Sequence, residues 1–173
     1  MIFTGFKRKS NQIFFNNRLP NWLKKSKVNS TNKVKSILVF LDDISKKEEI
    51  HTKLVSLLAV YEGDIKLIGF QQNISKEHKL KDSCTPKDFG WYGKIKSEEL
   101  KSALTKKYDL LINYSKVDNL YLNLLLLQCK TEFKVGFSHL DSRLYDLMID
   151  CKFDDLEVFN KELKKYLAIL NKL

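Results

Sequence analysis

The sequence predicts an α/β protein: a Rossmann-like three-layer sandwich with a mostly parallel sheet of about five strands, preceded by a basic N-terminal arm or helix. Two observations predict this class. Short apolar runs alternate with amphipathic segments over residues 36–173, which is typical of right-handed βαβ units. Residues 1–35, by contrast, hold nine of the 31 Lys and Arg residues and none of the 21 Asp and Glu residues. We therefore predict an arm with its linker at 1–35 and a single α/β domain at 36–173.

The arm begins with a mixture of basic and aromatic residues. Ile2, Phe6 and Ile13 recur at helical spacing, which predicts an amphipathic helix over residues 1–19. We expect Pro20 to end that helix or to start a turn. The polar residues from 26 to 35 are typical of a linker.

Five segments have the composition of strands. Residues 37–41 form a continuous apolar run followed by two Asp residues, the pattern of a strand buried on both faces. We predict further strands at 65–70, 109–113, 133–137 and 147–149. Residues 71–88 are predicted to form a loop, and the aromatic segment 89–95 a strand or a tight turn.

Four helices are predicted between and after these strands. The first spans 46–61, with an apolar stripe that ends at Tyr61. Ser97 is the predicted N-cap of the second, because two acids follow it and Leu100, Ala103 and Leu104 form its buried side. The Leu-rich segment 119–129 is predicted to be a buried helix. The last helix, 155–171, has an apolar face of six residues: Leu156, Phe159, Leu163, Tyr166, Leu167 and Leu170.

Polar residues follow several predicted strands, at the sheet edge where open α/β folds bind ligands. The candidate ligand-binding residues are Asp42, Asp43, Asn113, Ser138, Asp141 and Arg143. The two adjacent Asp residues would suit Mg²⁺ or a ribose hydroxyl; the alternative is helix capping. Arg143 would suit a phosphate or carboxylate; the alternative is a structural ion pair.

Several kinds of catalytic or cofactor site are not predicted. Ser138, His139 and Asp141 have the residue types of a hydrolytic triad, but neighbours on an extended chain point in opposite directions. The six glycines form neither a dinucleotide-binding motif nor a phosphate-binding loop. His51 and His78 lack companions at metal-ligand spacing. We therefore predict no catalytic residue, no cofactor and no metal.

The cysteines and the apolar runs bear on location. Cys84, Cys129 and Cys151 are odd in number and widely spaced, which favours free thiols in a reducing compartment. No apolar run is long enough to span a bilayer, and the N-terminus lacks the pattern of a secretory signal. We expect a cytoplasmic protein.

Two sequence features favour binding to a partner. The arm places cations among aromatic side chains, a combination that suits RNA or an anionic membrane surface. Its candidate contact residues are Lys7, Arg8, Lys9, Arg18, Lys24, Lys25 and Lys27. The alternative is a solubilising segment whose apolar residues dock on the domain. The segment 89–93, Phe-Gly-Trp-Tyr-Gly, would stack a base, or else pack in the core.

The domain resembles an uncharacterised protein family of Bacteroidota, a domain of unknown function. The resembling stretches include Phe-Gly-Trp at 89–91, Asp-Leu-Leu-Ile at 109–112 and Lys-Val-Gly-Phe at 134–137. They continue with Asp141, Arg143-Leu144 and Asp-Leu-Met-Ile at 146–149, and finish at 162–167. A fainter similarity, to the N-terminal lobe of heptosyltransferase-type glycosyltransferases, implies a shared fold and not the transfer reaction.

The leading functional hypothesis is a non-enzymatic cytoplasmic binding or accessory protein that uses its basic arm on RNA, a ribosomal surface or an acidic protein. The alternative is a site for a nucleotide or phosphosugar at the strand ends, in a binding domain or an enzyme. A further alternative is peripheral association of the arm with the inner membrane.

Overall fold

The computed structural model describes residues 2–25, 32–72 and 80–173, with the side chains of 2–4 and 25 left out. The strands are β1 (Ile37–Leu41), β2 (Ile65–Phe70), β3 (Ser83–Cys84), β4 (Lys107–Asn113), β5 (Lys130–Phe137) and β6 (Leu147–Ile149). The helices are α1 (Ile2–Lys25), α2 (Lys47–Leu58), α3 (Glu98–Thr105), α4 (Leu120–Gln128) and α5 (Leu156–Ile169).

The strands form one sheet in the order β3-β2-β1-β4-β5-β6, and every pairing is parallel. Strand β1 lies at the centre, with Ile37 level with Ile65 of β2 and with Leu110 of β4. The chain runs outward from β1 in one direction and then returns to start β4, so the order reverses between β1 and β4. This is the doubly wound order of Rossmann-like folds, and the predicted fold class is confirmed.

The helices cover both faces of the sheet. Alternate residues of β1 point to opposite faces: Val39 packs with residues of α2 and α5, whereas Leu38 and Phe40 pack with residues of α1, α3 and α4. Two apolar clusters therefore lie one on each side of the sheet. The helix that the arm forms belongs to one of these layers.

The sequence patterns located most elements, with corrections. The sheet has six strands in the described residues, one more than predicted, because β3 lies in the segment predicted to be a loop. The apolar patterns of the sequence predict buried positions for Tyr61, Tyr166 and Leu170, and this prediction is wrong, because all three are exposed. The segment 89–95 is a tight turn, closed by an isolated antiparallel bridge between Phe89 and Ile95.

Two predictions about α1 are wrong. The helix does not end at Pro20 but continues through it to Lys25. Proline lacks an amide hydrogen, so one intrahelical hydrogen bond is lost there, and tertiary packing offsets that loss. The predicted apolar stripe is also not the buried one, because Phe6 and Ile13 are 59% and 47% exposed.

Candidate functional site

The first candidate region is the edge of the sheet where β1 and β4 end. The backbone amide of Lys116 donates to Asp42 Oδ2 at 2.8 Å, and the Lys116 ammonium lies 3.2 Å from Asp43 Oδ2. Asp43 also caps the short helical turn at 44–46 by accepting from Ser45. The hydrogen bond from the Ser45 hydroxyl, together with the Lys116 charge, lowers the pKa of Asp43. Capping, the alternative interpretation, therefore accounts for this side chain.

The side-chain amide of Asn113 is buried and makes hydrogen bonds through both its nitrogen and its oxygen. Its Nδ2 donates to the Tyr145 hydroxyl at 2.6 Å, and its Oδ1 accepts from the backbone and hydroxyl of Ser115. Burial raises the pKa of the Tyr145 hydroxyl, so that group stays a neutral partner. A ligand would have to break this network in order to reach Asn113.

The remaining predicted residues are brought near β5 and β6 and are paired with one another or with neighbours. The guanidinium of Arg143 forms a two-pronged ion pair with Asp141, through bonds of 2.8 and 2.7 Å. That pairing lowers the pKa of Asp141. Ser138 donates to Asp150 at 2.6 Å. The hydrogen bonds of Ser138 and Asp141 therefore go to residues other than His139, whose ring nitrogen lies 3.3 Å from the Ser115 carbonyl oxygen.

One polar atom at this edge has no partner among the described residues. Asp42 Oδ1 is buried and makes no hydrogen bond. Asp42 lines an open groove of about 580 Å³ together with seven other residues: Asp43, Ile44, Phe70, Gln71, Gln72, Lys116 and Val117. Of the six predicted ligand-binding residues, only Asp42 and Asp43 line this groove.

The second candidate region is α1 and the turn that it contacts. One side of α1 is buried: Phe15 and Leu19 are each 3% exposed and pack in the cluster that contains the apolar residues of α4. The alternative in which the arm docks on the domain therefore describes its inward side. Its outward side stays in solvent, with Phe6, Lys9, Ile13 and Lys24 exposed.

Asn11 attaches α1 to the turn at 89–95. Its side chain is fully buried; Nδ2 donates to the Gly90 carbonyl at 3.1 Å, and Oδ1 accepts from the Gly93 amide at 2.8 Å. Ser10 adds a third bond by accepting from the Tyr92 amide at 3.1 Å. The arm and the aromatic segment, about 80 residues apart in sequence, therefore form one surface.

The turn itself has an unusual backbone. The Lys94 amide donates to the Trp91 carbonyl, and the two residues between them both have positive φ, 53° at Tyr92 and 70° at Gly93. That combination is the mark of a type I′ turn, which favours Asn and Gly at these positions. A side chain at Gly93 would overlap the ring of Phe14, so glycine is required there for space as well as for conformation.

Several cations on α1 have no acidic partner in the described part of the chain, a property that they share with described lysines elsewhere, such as Lys152, Lys161 and Lys164. Among the described residues, no carboxylate pairs with Arg8, Lys9, Arg18 or Lys24, and all four are exposed. Arg18 lies over the ring of Phe14, 5.3 Å from its centre. Only the backbone of Lys25 is described, and Lys27 lies outside the described residues.

Lys7 is the exception in this group. Its ammonium donates to the Pro86 carbonyl at 3.0 Å, which adds a further tie between α1 and the segment that leads into the turn. Partial burial, and then the nearby charge of Lys96, lower the pKa of Lys7. Lys94 and Lys96 are exposed, so positive charge continues from α1 across the turn.

The structure bears on three simpler expectations as well. The cysteines are free thiols, and burial raises the pKa of Cys129 to about 11, as expected for a core residue. Within the described part of the chain, no three His, Cys, Asp or Glu side chains come together as metal ligands. No helix in that part is both long enough and apolar enough to cross a membrane.

Sequence patterns did not identify Asn11 or Ser10 as important residues. An isolated Asn in a basic helix resembles a solvent-exposed residue, and nothing local distinguishes it from Asn16 or Asn17, which are exposed. The signal that was present is the pair of glycines at 90 and 93, which marks a close backbone approach.

Comparison with known proteins places the chain in a family but gives no activity. A search of curated proteins and a search of solved structures each find no match. The family described as "Family of unknown function (DUF6913)" matches residues 7–170, a span that starts inside α1 and therefore includes the turn-binding residues of that helix. The predicted membership of a family of unknown function is confirmed, and the chain belongs to this family.

Proposed function

We propose that the protein is a non-enzymatic accessory protein of the cytoplasm that binds RNA through the solvent-facing side of α1. The observation that carries this proposal is the display of unpaired cations on a helix fixed to the domain. Arg8, Lys9 and Lys24 are exposed and have no described carboxylate partner. Lys9 and Lys24 lie on the side away from the buried Phe15, and Arg8 lies on the same side as Phe15 but is itself exposed. Phosphates would displace only counterions from such a surface.

The contrast with the sheet edge supports this choice. There, Arg143 is bound by Asp141 and the Asn113 amide is bound on both sides, so an incoming anion would compete with existing bonds. On α1 no such bonds have to be broken. A phosphate backbone therefore has more to gain on the helix than at the strand ends.

The proposal is tested by RNA binding measured by fluorescence anisotropy over a range of KCl concentrations. The variant Arg8→Gln/Lys9→Gln/Lys24→Gln should bind more weakly, and the slope of log Kd against log salt should fall by about 2, since each phosphate contact with a single strand contributes about 0.7. The control variant Lys152→Gln/Lys161→Gln/Lys164→Gln removes the same charge, two of its positions lying on α5 across the sheet.

The control should retain the wild-type slope. Equal losses in the two triple variants would mean that net charge alone drives binding, and this would contradict the proposal. Vesicles containing phosphatidylglycerol form a second arm of the experiment. Co-sedimentation with vesicles in the absence of RNA binding would favour the membrane alternative and reject the RNA proposal.

A small-molecule site at the strand ends is the second candidate function, favoured by the buried and unpartnered Asp42 Oδ1 beside an open groove. A ligand that donates a hydrogen bond to this oxygen, or a cation that this oxygen coordinates, would stabilise the fold. Thermal unfolding with MgCl₂ and with a nucleoside monophosphate tests it. A rise in Tm that disappears in Asp42→Asn would support the site, and an unchanged Tm with every ligand would count against it.

A further inference from the structure

We infer that the turn at 91–94 is a stacking platform, and that the nucleic acid bound by α1 is therefore single-stranded, with unpaired bases stacked on Trp91 and Tyr92. This inference rests on the proposed function, because α1 supplies the phosphate contacts. It adds a ligand class: a strand whose bases are accessible, not a paired helix. Aromatic rings beside a cationic surface are the usual means by which proteins hold unpaired bases.

Exposure distinguishes these two rings from their neighbours. Trp91 is 46% exposed and Tyr92 is 66% exposed, whereas Phe89 in the same segment is fully buried. Phe15, on the helix that holds the turn, is 3% exposed. The fold therefore uses Phe89 and Phe15 for packing and leaves Trp91 and Tyr92 at the surface, as it does Phe6 on α1.

The backbone of Tyr92 gives an independent reason to assign a role to its side chain. Tyr92 has a φ of 53°, a conformation that side chains with a Cβ adopt at an energetic cost and that Asn or Gly adopts more readily. An exposed ring recovers little of this cost by burial. Strained residues of this kind are concentrated at functional sites. We therefore assign base stacking to the exposed ring of Tyr92.

The turn is also fixed in place, which favours stacking. Its backbone is held by Asn11 at Gly90 and Gly93, by Ser10 at Tyr92, and by the Gln128 side chain, which donates to the Gly93 carbonyl at 3.1 Å. Little backbone freedom remains to be lost when a base stacks on it. Preorganisation of this kind strengthens binding without adding a contact.

Charge and polarity favour RNA over a lipid surface as the occupant. Lys94 and Lys96 are exposed on the turn, and Arg8 is exposed on α1. The solvent-facing side of α1 also carries amides, at Gln12 and Asn16 among others, which lose hydration when buried in lipid but can bond to bases and sugars.

The test compares a fluorescein-labelled single-stranded oligouridylate with a duplex RNA of equal length, each titrated with the intact protein. The variant Trp91→Ala/Tyr92→Asn should lose at least about 5- to 150-fold in affinity for the single strand, the range expected for one stacked base, and change little for the duplex. Tyr61→Asn is the matched control, because Tyr61 is 72% exposed and lies away from the turn. Wild-type tryptophan fluorescence should be quenched by the single strand, and Trp91→Phe should remove that quenching.

The possible outcomes separate this inference from the proposed function. The stacking platform would be overturned if Trp91→Ala/Tyr92→Asn bound the single strand with unchanged affinity, or if it lost equal affinity for single strand and duplex. The proposed function would still stand in that case, provided that the salt dependence of binding still required the cations of α1. No binding of either RNA by the wild type would overturn both. Loss of function through misfolding is checked by the single variant Tyr92→Asn, which relieves backbone strain; if it is folded and still binds the single strand with wild-type affinity, Tyr92 does not stack.

Discussion

Replacement of Asn11 by Ala tests how the basic helix is attached to the domain. Asn11 is fully buried and satisfies two backbone groups of the turn, the Gly90 carbonyl and the Gly93 amide. Ala would leave both without a partner. A buried polar group that loses its partner costs about 1–3 kcal/mol, so the free energy of unfolding should fall by about 3 kcal/mol. For a chain of this size that corresponds to a decrease in Tm of about 6–12 °C.

Urea unfolding measures this change with a reporter that the chain already contains. The two tryptophans, Trp22 on α1 and Trp91 in the turn, lie on opposite sides of the contact, so their fluorescence follows its loss. Far-UV circular dichroism follows the whole domain. A fluorescence transition that precedes the dichroism transition in Asn11→Ala would show that α1 separates first, as a unit of lower local stability.

The control is Gln12→Ala, which removes a hydrogen bond of similar length, 3.1 Å to Asn16, from the exposed side of the same helix. Such a pair contributes only about 0.2–0.5 kcal/mol. If Asn11→Ala were as mild as Gln12→Ala and left the fluorescence unchanged, the hydrogen bonds of Asn11 would not be what fixes α1 to the turn, and the reasoning would be refuted.

Three further predictions concern the turn and the sheet edge. Gly93→Ala should lower the Tm and alter tryptophan fluorescence, because a Cβ at positive φ would overlap Phe14; an unchanged melting curve would contradict that geometry. Tyr92→Asn should raise stability by about 1 kcal/mol, measured by urea unfolding, because Asn tolerates the left-handed conformation better. Arg143 lowers the pKa of Asp141, so the stability contributed by that pair is present above about pH 4 and is lost as the pH falls through the lower folded pKa. As the pH falls from about 5 to about 2, the free energy of unfolding should therefore decrease less in Asp141→Asn than in the wild type. The difference should be under about 1 kcal/mol, because Arg143 is exposed. Parallel pH profiles for the two proteins would count against the pairing.

The sheet could be predicted because its strands carry their own signal. Strands β1 and β2 are buried along almost their whole length, so β1 appears as an uninterrupted apolar run and β2 as a run that only Lys66 interrupts, both with the observed ends. Strand β3 could not be found in this way. It has only two residues, Ser83 and Cys84, and it depends on pairing with Gly69 and Phe70 of its neighbour and not on its own composition.

The orientation of α1 could not be predicted, for a related reason. Hydrophobic periodicity assigns the apolar side of a helix to the core, and it therefore selected Phe6 and Ile13. The helix instead buries Asn11 beside Phe15, because the surface that it contacts includes backbone groups of a turn that need hydrogen bonds as well as apolar atoms. A hydrogen bond between two segments so far apart in the sequence cannot be predicted from either segment alone, because it depends on the position of both in the folded structure.

The same accounting of hydrogen bonds explains why the candidate function lies on a helix and not at the sheet edge that usually holds ligands in this fold. At that edge, the side chains best suited to bind anions and polar groups are already bound to one another, as in the pair of Arg143 with Asp141. Apart from Asp42 Oδ1, which has no described partner, these groups can bind a ligand only by giving up a bond that they already make. On α1 the bonds to the turn and the segment before it are made by Asn11, Ser10 and Lys7. The side chains of Arg8, Lys9 and Lys24 make no hydrogen bond or ion pair within the described residues. Trp91 and Tyr92 likewise remain at the surface. Side chains that the fold holds in place but does not use for its own stability are the ones free to bind a partner.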